Sequence, residues 1–133
     1  MATATLTAKE TIQVLDDAGN LVSSVARNVP GDSASKVKDQ FPGGSANVLV
    51  AFPLVKARTQ MFAFTSDQPA TIKTNSTSAP QETITLAAGG SYTWNAQHPE
   101  TNPIIGDITA SYVSVPGTSP ANVTVYALTN ATP

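Results

Sequence analysis

An all-β chain folded as a two-sheet antiparallel β-sandwich is what this sequence predicts, and three observations carry it. Charged residues make up only 12% of the 133 residues, while Thr, Ser, Ala and Val abound, a balance suited to strands with hydroxyl-bearing solvent faces. About eight segments of period-two alternation follow one another at the spacing of a sandwich or barrel. No segment carries a sustained amphipathic helical face. The class is a sandwich of jelly-roll or immunoglobulin-like kind. Residues 1–133 make one domain, long enough to bury roughly two-thirds of the surface its unfolded chain exposes.

From the N-terminus, Ala2, Ala4, Leu6 and Ala8 alternate with Thr3, Thr5 and Thr7. That is a strand whose apolar side is too small to gain much from a core, so its main-chain groups are free for strand addition. Residues 1–9 are a candidate N-terminal arm, with Ala4 and Leu6 as its contact side chains. Thr11–Leu15 and Leu21–Val25 flank Asp16-Asp17-Ala18-Gly19-Asn20, whose Gly and Asx residues supply the positive φ of a hairpin loop. Pro30-Gly31 and Pro42-Gly43-Gly44 bracket Asp32 to Phe41, which reads as a long irregular loop. Ser33 can cap at most one helical turn there. Loops of this length are commonly functional or disordered, so Lys36, Val37 and Phe41 are candidate contact residues.

Asn47 to Phe52 is a short apolar run cut by Pro53, a buried strand or the approach to one. Thr59 to Ser66 is apolar on both faces, Phe62 and Phe64 on one, Met61 and Ala63 on the other. Such a strand belongs in the middle of a sheet. Three short strands follow, Ala70–Asn75, Glu82–Ala87 and Ser91–Asn95, with Ile72, Ile84 and Leu86 pointing inward and Tyr92 and Trp94 sharing a face. Asn95 to Gly106 is a second long loop, in which the adjacent Ile104 and Ile105 must face opposite ways in an extended chain, leaving one for a partner to cover. Asp107–Val115 and Ala121–Leu128 are the last strands, and Pro116-Gly117-Thr118-Ser119-Pro120 between them reads as a hairpin loop.

Composition excludes several functions. Seven scattered basic residues and a net charge of −2 do not suit a phosphate backbone, which needs clustered Lys and Arg. The absence of cysteine removes disulfides and thiolate metal sites. His98 is the one histidine, in a polar loop, and neither a nucleophilic triad nor a zinc site can be assembled around it. Asp16 and Asp17 lack the ligand rhythm of a calcium loop. No phosphate cradle or G-x-S-x-G elbow occurs. MATATLTAKE has neither the basic n-region nor the apolar core of a signal peptide, and no apolar run reaches the length of a membrane span. N-x-S/T triplets at Asn75, Asn122 and Asn130 are expected by chance in a chain so rich in Thr and Ser. No enzyme activity and no cofactor are expected.

The segment holding Gln68-Pro69, Lys73-Thr74-Asn75-Ser76, Pro80 and Glu82-Thr83-Ile84 continues to Trp94, Asn102-Pro103 and Asp107-Ile108-Thr109-Ala110-Ser111-Tyr112-Val113. This second half resembles small structural proteins of tailed bacteriophages, of the capsid cement or decoration type. The resemblance implies a β-sandwich bound in many copies on the outside of an assembled head. It implies the major capsid protein as partner, a dimer or trimer of the chain, and a location on the capsid exterior after synthesis in the host bacterial cytoplasm. Neither nucleic acid nor membrane is expected as a partner. On this reading the arm, the Asp32–Phe41 loop and the Asn95–Gly106 loop touch the shell or a sister copy, through Ala4, Leu6, Lys36, Val37, Phe41, His98, Ile104 and Ile105. The competing expectation is a tail or fibre module that stacks host saccharide on Tyr92, Trp94 or Tyr112.

Overall fold

The computed structural model describes residues 6–31 and 33–130. Among them are ten strands: β1 Leu6–Leu15, β2 Leu21–Gly31, β3 Ser33–Phe41, β4 Val48–Val50, β5 Thr59–Ser66, β6 Ala70–Thr74, β7 Thr83–Leu86, β8 Ser91–Asn95, β9 Ser111–Ser114 and β10 Ala121–Thr129. Eight of them form two four-stranded antiparallel sheets, ordered β3-β10-β5-β8 and β4-β9-β6-β7, while β1 and β2 pair only with each other. The pairing is nested: β3 with β10, β4 with β9, β5 with β8 and β6 with β7. The chain from Ser33 onward is thus one long hairpin, closed at the loop between β6 and β7 and rolled up so that its successive pairs alternate between sheets.

The core lies between the sheets and is built from the inward positions of the alternation. Phe62 and Phe64 of β5 and Val123, Val125 and Ala127 of β10 meet Ile72 of β6, Ile84 and Leu86 of β7 and Val113 of β9, all buried. Tyr92 and Trp94 close one end of it, their rings 5.5 and 6.2 Å from that of Phe62. Burial lifts the Tyr92 hydroxyl above its ordinary pKa, and the nearby Glu82 charge adds to the effect. β5 lies between β10 and β8, as its two apolar faces predict. The reason for the second apolar face is that the ribbon of β1 and β2 crosses it, where Ala63 is buried beside Ala8 and Val29.

Two expectations are corrected. Asp32 itself lies outside the described residues, but Ser33–Phe41 is a strand, paired along its whole length with β10. It occupies a sheet edge, where polar and charged side chains on both faces guard against unwanted pairing. That polarity hides the alternation, in which Val37 packs on the core and Phe41 is buried in it. The 116–120 segment is not a hairpin loop, because β9 and β10 lie in different sheets. It crosses from one sheet to the other, with Gly43 packed so closely that a Cβ there would lie 2.3 Å from the Thr118 backbone.

Candidate functional site

The hairpin expected at Thr11–Val25 is present and longer than its alternation indicates, running from Leu6 to Gly31 in one register interrupted only at Val14/Leu15. Its turn is chemically closed. The Asp16 carboxylate accepts hydrogen bonds from the Ala18 and Asn20 backbone at 3.0 and 2.9 Å, and Gly19 takes a φ of 85°. These bonds, that from Asn20 foremost, hold the Asp16 pKa below its ordinary value.

Directly opposed residues of an antiparallel pair share a face. One face therefore carries Ala8 with Val29, then Glu10, then Ile12 with Val25, then Val14 with Ser23; the other carries Lys9 with Asn28, Thr11 with Ala26 and Gln13 with Ser24. The ribbon is amphipathic, and its two halves meet different surroundings. In the base, Val29 is buried and Ala8 half-buried against the outer face of the β3-β10-β5-β8 sheet. From Thr11 to Ala26 every residue is exposed. Ile12, Val14 and Val25 are 53%, 54% and 50% exposed, and Leu15, Leu21 and Val22 are as open. Beyond Glu10, the face that fastens the base to the body carries apolar side chains again, Ile12, Val14 and Val25.

The base is clamped by the turn after β8. The Glu10 carboxylate accepts from Asn95 Nδ2 at 3.0 Å and lies 3.3 Å from His98 Nε2. His98 Nδ1 stands 4.0 Å from Glu100, and Gln97 Nε2 donates to the Asn28 carbonyl. His98 is spent on this clamp. Gly31, where β2 leaves the ribbon, passes so close to Leu128 that an added Cβ would lie 2.5 Å from its Cγ.

A second exposed feature is the loop after the clamp. Ile104 is wholly buried while Ile105 is 70% exposed, so the pair splits as an extended chain requires. A polar network holds it. Glu82 Oε2 accepts from the Ile105 backbone at 2.9 Å, Glu82 Oε1 accepts from Thr74 Oγ1 at 2.7 Å, and Gln81 Nε2 donates to the Gly106 carbonyl at 3.0 Å. Asn75, at a φ of 68°, accepts from the Thr109 backbone at 2.7 Å and donates to the Asp107 carbonyl at 3.0 Å. Thr74, Asn75, Gln81, Glu82, Asp107 and Thr109 are the joints of this network.

Of the residues singled out in the sequence, Phe41 and Ile104 belong to the core, Val37 packs against it, and none of the three offers a partner a full side chain. Ala4 lies outside the described residues. Leu6 is 39% exposed at the base of β1, and Lys36 is exposed on the outer face of β3. Residues 6–9, assigned to an arm, are the base of β1; the projecting part is 11–25. Alternation reveals the apolar members of that tip, but not that no body lies beneath them. Among the described residues, no group of three or more His, Asp and Glu side chains is placed to hold a metal ion, and no helix is long and apolar enough to cross a membrane.

No family model matches the chain, and no curated protein matches it. Among solved structures, it is similar to a de novo designed double-stranded β-helix, with a TM-score of 0.43 at 11% identity over 70% of this chain and 97% of that one. It is also similar to the cupin domain of Schizosaccharomyces pombe Cnp3, with a TM-score of 0.42 at 10% identity over 92% and 83% of the two chains. A cupin domain from Bordetella pertussis gives 0.39 at 16% identity over 74% and 82%. At these identities the likeness is one of fold alone.

Proposed function

We propose that this chain is a structural protein of a tailed-bacteriophage virion, a jelly-roll decoration protein that binds the outer surface of the assembled head and stabilises capsomer contacts. The jelly roll is our reading of the nested pairing of β3 through β10. The single observation that carries the function is the ribbon tip. A two-stranded hairpin alone is marginally stable in water, and this one projects with six large apolar side chains half or more exposed. Fully burying such a side chain stabilises by about 1.5–3 kcal/mol, so completing the burial of half of each is worth roughly 1 kcal/mol apiece. Exposed apolar side chains gathered at one tip favour a protein interaction site.

In this role the ribbon joins each copy to its neighbours on the shell, while Ile105 presents a second apolar contact to the major capsid protein. Many symmetric copies make modest single-site affinity sufficient. Each copy adds interface across capsomer boundaries and favours the assembled state by mass action. The competing saccharide reading needs open aromatic faces, whereas Tyr92 and Trp94 turn theirs to Phe62 and Tyr112 is half-buried.

The test is co-sedimentation with undecorated heads. Wild-type protein is expected to pellet with the heads, and a variant with residues 11–25 replaced by a two-residue turn is expected to lose most of that binding while its body stays folded. Failure of the wild-type chain to bind any head overturns the proposal.

A further inference from the structure

A ribbon that projects from a narrow base delivers its tip only as well as that base is held. Between the base and the sheet lies a cavity of about 150 Å³, lined by Ala8, Val29, Met61, Ala63 and Tyr126 among others. Side chains that face a gap forfeit contacts, so packing alone does not fix the angle of the ribbon. The bonds that set it come from one turn. Asn95 Nδ2 donates to the Glu10 carboxylate at 3.0 Å, His98 Nε2 lies 3.3 Å from the same oxygen, and Gln97 Nε2 donates to the Asn28 carbonyl. Both strands are thus gripped, β1 at Glu10 and β2 at Asn28, close to where the exposed part begins at Thr11 and Ala26.

The turn that grips them belongs to the body. Asn95 pairs with Met61 and is 2% exposed. Its Oδ1 accepts from the Gln97 backbone at 2.9 Å, and the Ala96 backbone donates to the Gln60 carbonyl at 2.8 Å. Farther along the same loop, Trp94 Nε1 donates to the Glu100 carbonyl at 3.0 Å, and Glu82 holds the Ile105 backbone. One loop therefore sets the ribbon at one end and presents Ile105 at the other. The lever is long. From Glu10 to Leu15 the strand rises about 17 Å, so a tilt of about 20° at the clamp carries the turn about 6 Å, beyond the roughly 4 Å at which apolar side chains touch.

We propose that Asn95, Gln97 and His98 are positioning residues for binding, which act without touching the partner by holding the tip at the angle where it and Ile105 meet one rigid surface together. Two contacts fixed relative to one another bind as a bivalent unit, because the first presents the second at high effective concentration. A tip that swings must instead be ordered on binding, and that ordering subtracts from affinity. The kind of partner this fits is a preformed protein surface rather than a flexible peptide, which could follow a moving tip. The partner is that of the decoration reading, on which this rests; the hold on the ribbon is measured without any head.

The experiment compares the full chain with the double variant Gln97→Ala, His98→Ala and with the single variant Glu10→Ala, which removes the shared acceptor from the other side of the clamp. Gln97 is exposed and Glu10 and His98 are half-buried, so thermal unfolding of the body is expected to match that of the wild type. Hydrogen exchange followed by mass spectrometry is expected to speed up about tenfold in peptides covering the ribbon and to stay unchanged in those covering β5 and β10. Co-sedimentation with undecorated heads is expected to show binding about tenfold weaker. In the chain whose residues 11–25 are replaced by a two-residue turn, the same double variant is expected to weaken the residual binding no further, since no tip remains to position. Unchanged exchange in the ribbon, wild-type binding by a loosened ribbon, a melting temperature that falls in step with binding, or an equal loss of binding in the chain without a tip overturns the proposal. A wild-type chain that binds no head overturns the decoration reading instead, and the exchange result still decides whether the clamp holds the ribbon.

Discussion

Replacing Asn75 with alanine removes a side chain that ties the β6–β7 loop to the segment before β9. Its amide accepts from the Thr109 backbone and hydroxyl at 2.7 and 3.1 Å and donates to the Asp107 carbonyl and to Gln81 at 3.0 and 3.3 Å. A net hydrogen bond is worth about 1 kcal/mol, less where water can replace it; these are exposed or half-buried, so the set comes to roughly 2 kcal/mol. Alanine at a φ of 68° adds about 1 kcal/mol of left-handed strain that asparagine tolerates better. The sum, about 3 kcal/mol, should lower the urea midpoint by about 1.5 M for a chain of this size. Asn75→Gly loses the bonds without the strain and should fall short of the alanine variant. Equilibrium unfolding followed by Trp94 fluorescence measures both. An alanine variant within about 0.5 kcal/mol of wild type would refute the view that Asn75 is part of a structural clamp.

Three further outcomes are expected. Gly43→Ala drives a methyl into the Thr118 backbone and should cost about 3 kcal/mol, a drop of roughly 10 °C in melting temperature by calorimetry; a wild-type melting curve would contradict the packing of the crossover. Asp67 accepts two 2.7 Å bonds from Asn122, which hold its pKa down, the side-chain bond most. Its contribution is present above the ordinary carboxylate pKa and is lost as pH falls through the depressed folded value. Asp67→Ala should therefore melt lower than wild type at neutral pH, with the gap closing in strong acid; a gap independent of pH would contradict this. Ile105→Lys should leave stability unchanged and weaken head binding about tenfold, from the roughly 1.4 kcal/mol that its exposed side chain would gain on burial. Unaltered binding would remove that loop from the contact surface.

Much of the fold is legible in the sequence because period-two alternation survives wherever one strand face meets the core. Ile72, Ile84 with Leu86, and Val123 with Val125 mark their strands in this way. β3 escapes because an edge strand is polar on both sides, and only Val37 and Phe41 record its inner face. The crossover at 116–120 is misread because Pro and Gly announce a turn without saying whether the chain returns to the same sheet. The site is legible in part. Ile12, Val14 and Val25 are visible as one strand face, but whether a body lies under that face depends on tertiary placement. The clamp of Glu10 by Asn95 and His98 joins residues 85 and 88 positions apart, and no local pattern signals it. Ile104 and Ile105 show the opposite case, since the geometry of an extended chain alone requires that one be buried and one be open.

The decoration role rests on numbers of copies, and counting them tests it most directly. Quantitative mass spectrometry of purified virions, referenced to the major capsid protein, is expected to find hundreds of copies of this chain per particle. A handful per particle would place it at the tail, and its absence from the particle would leave no decoration role to explain.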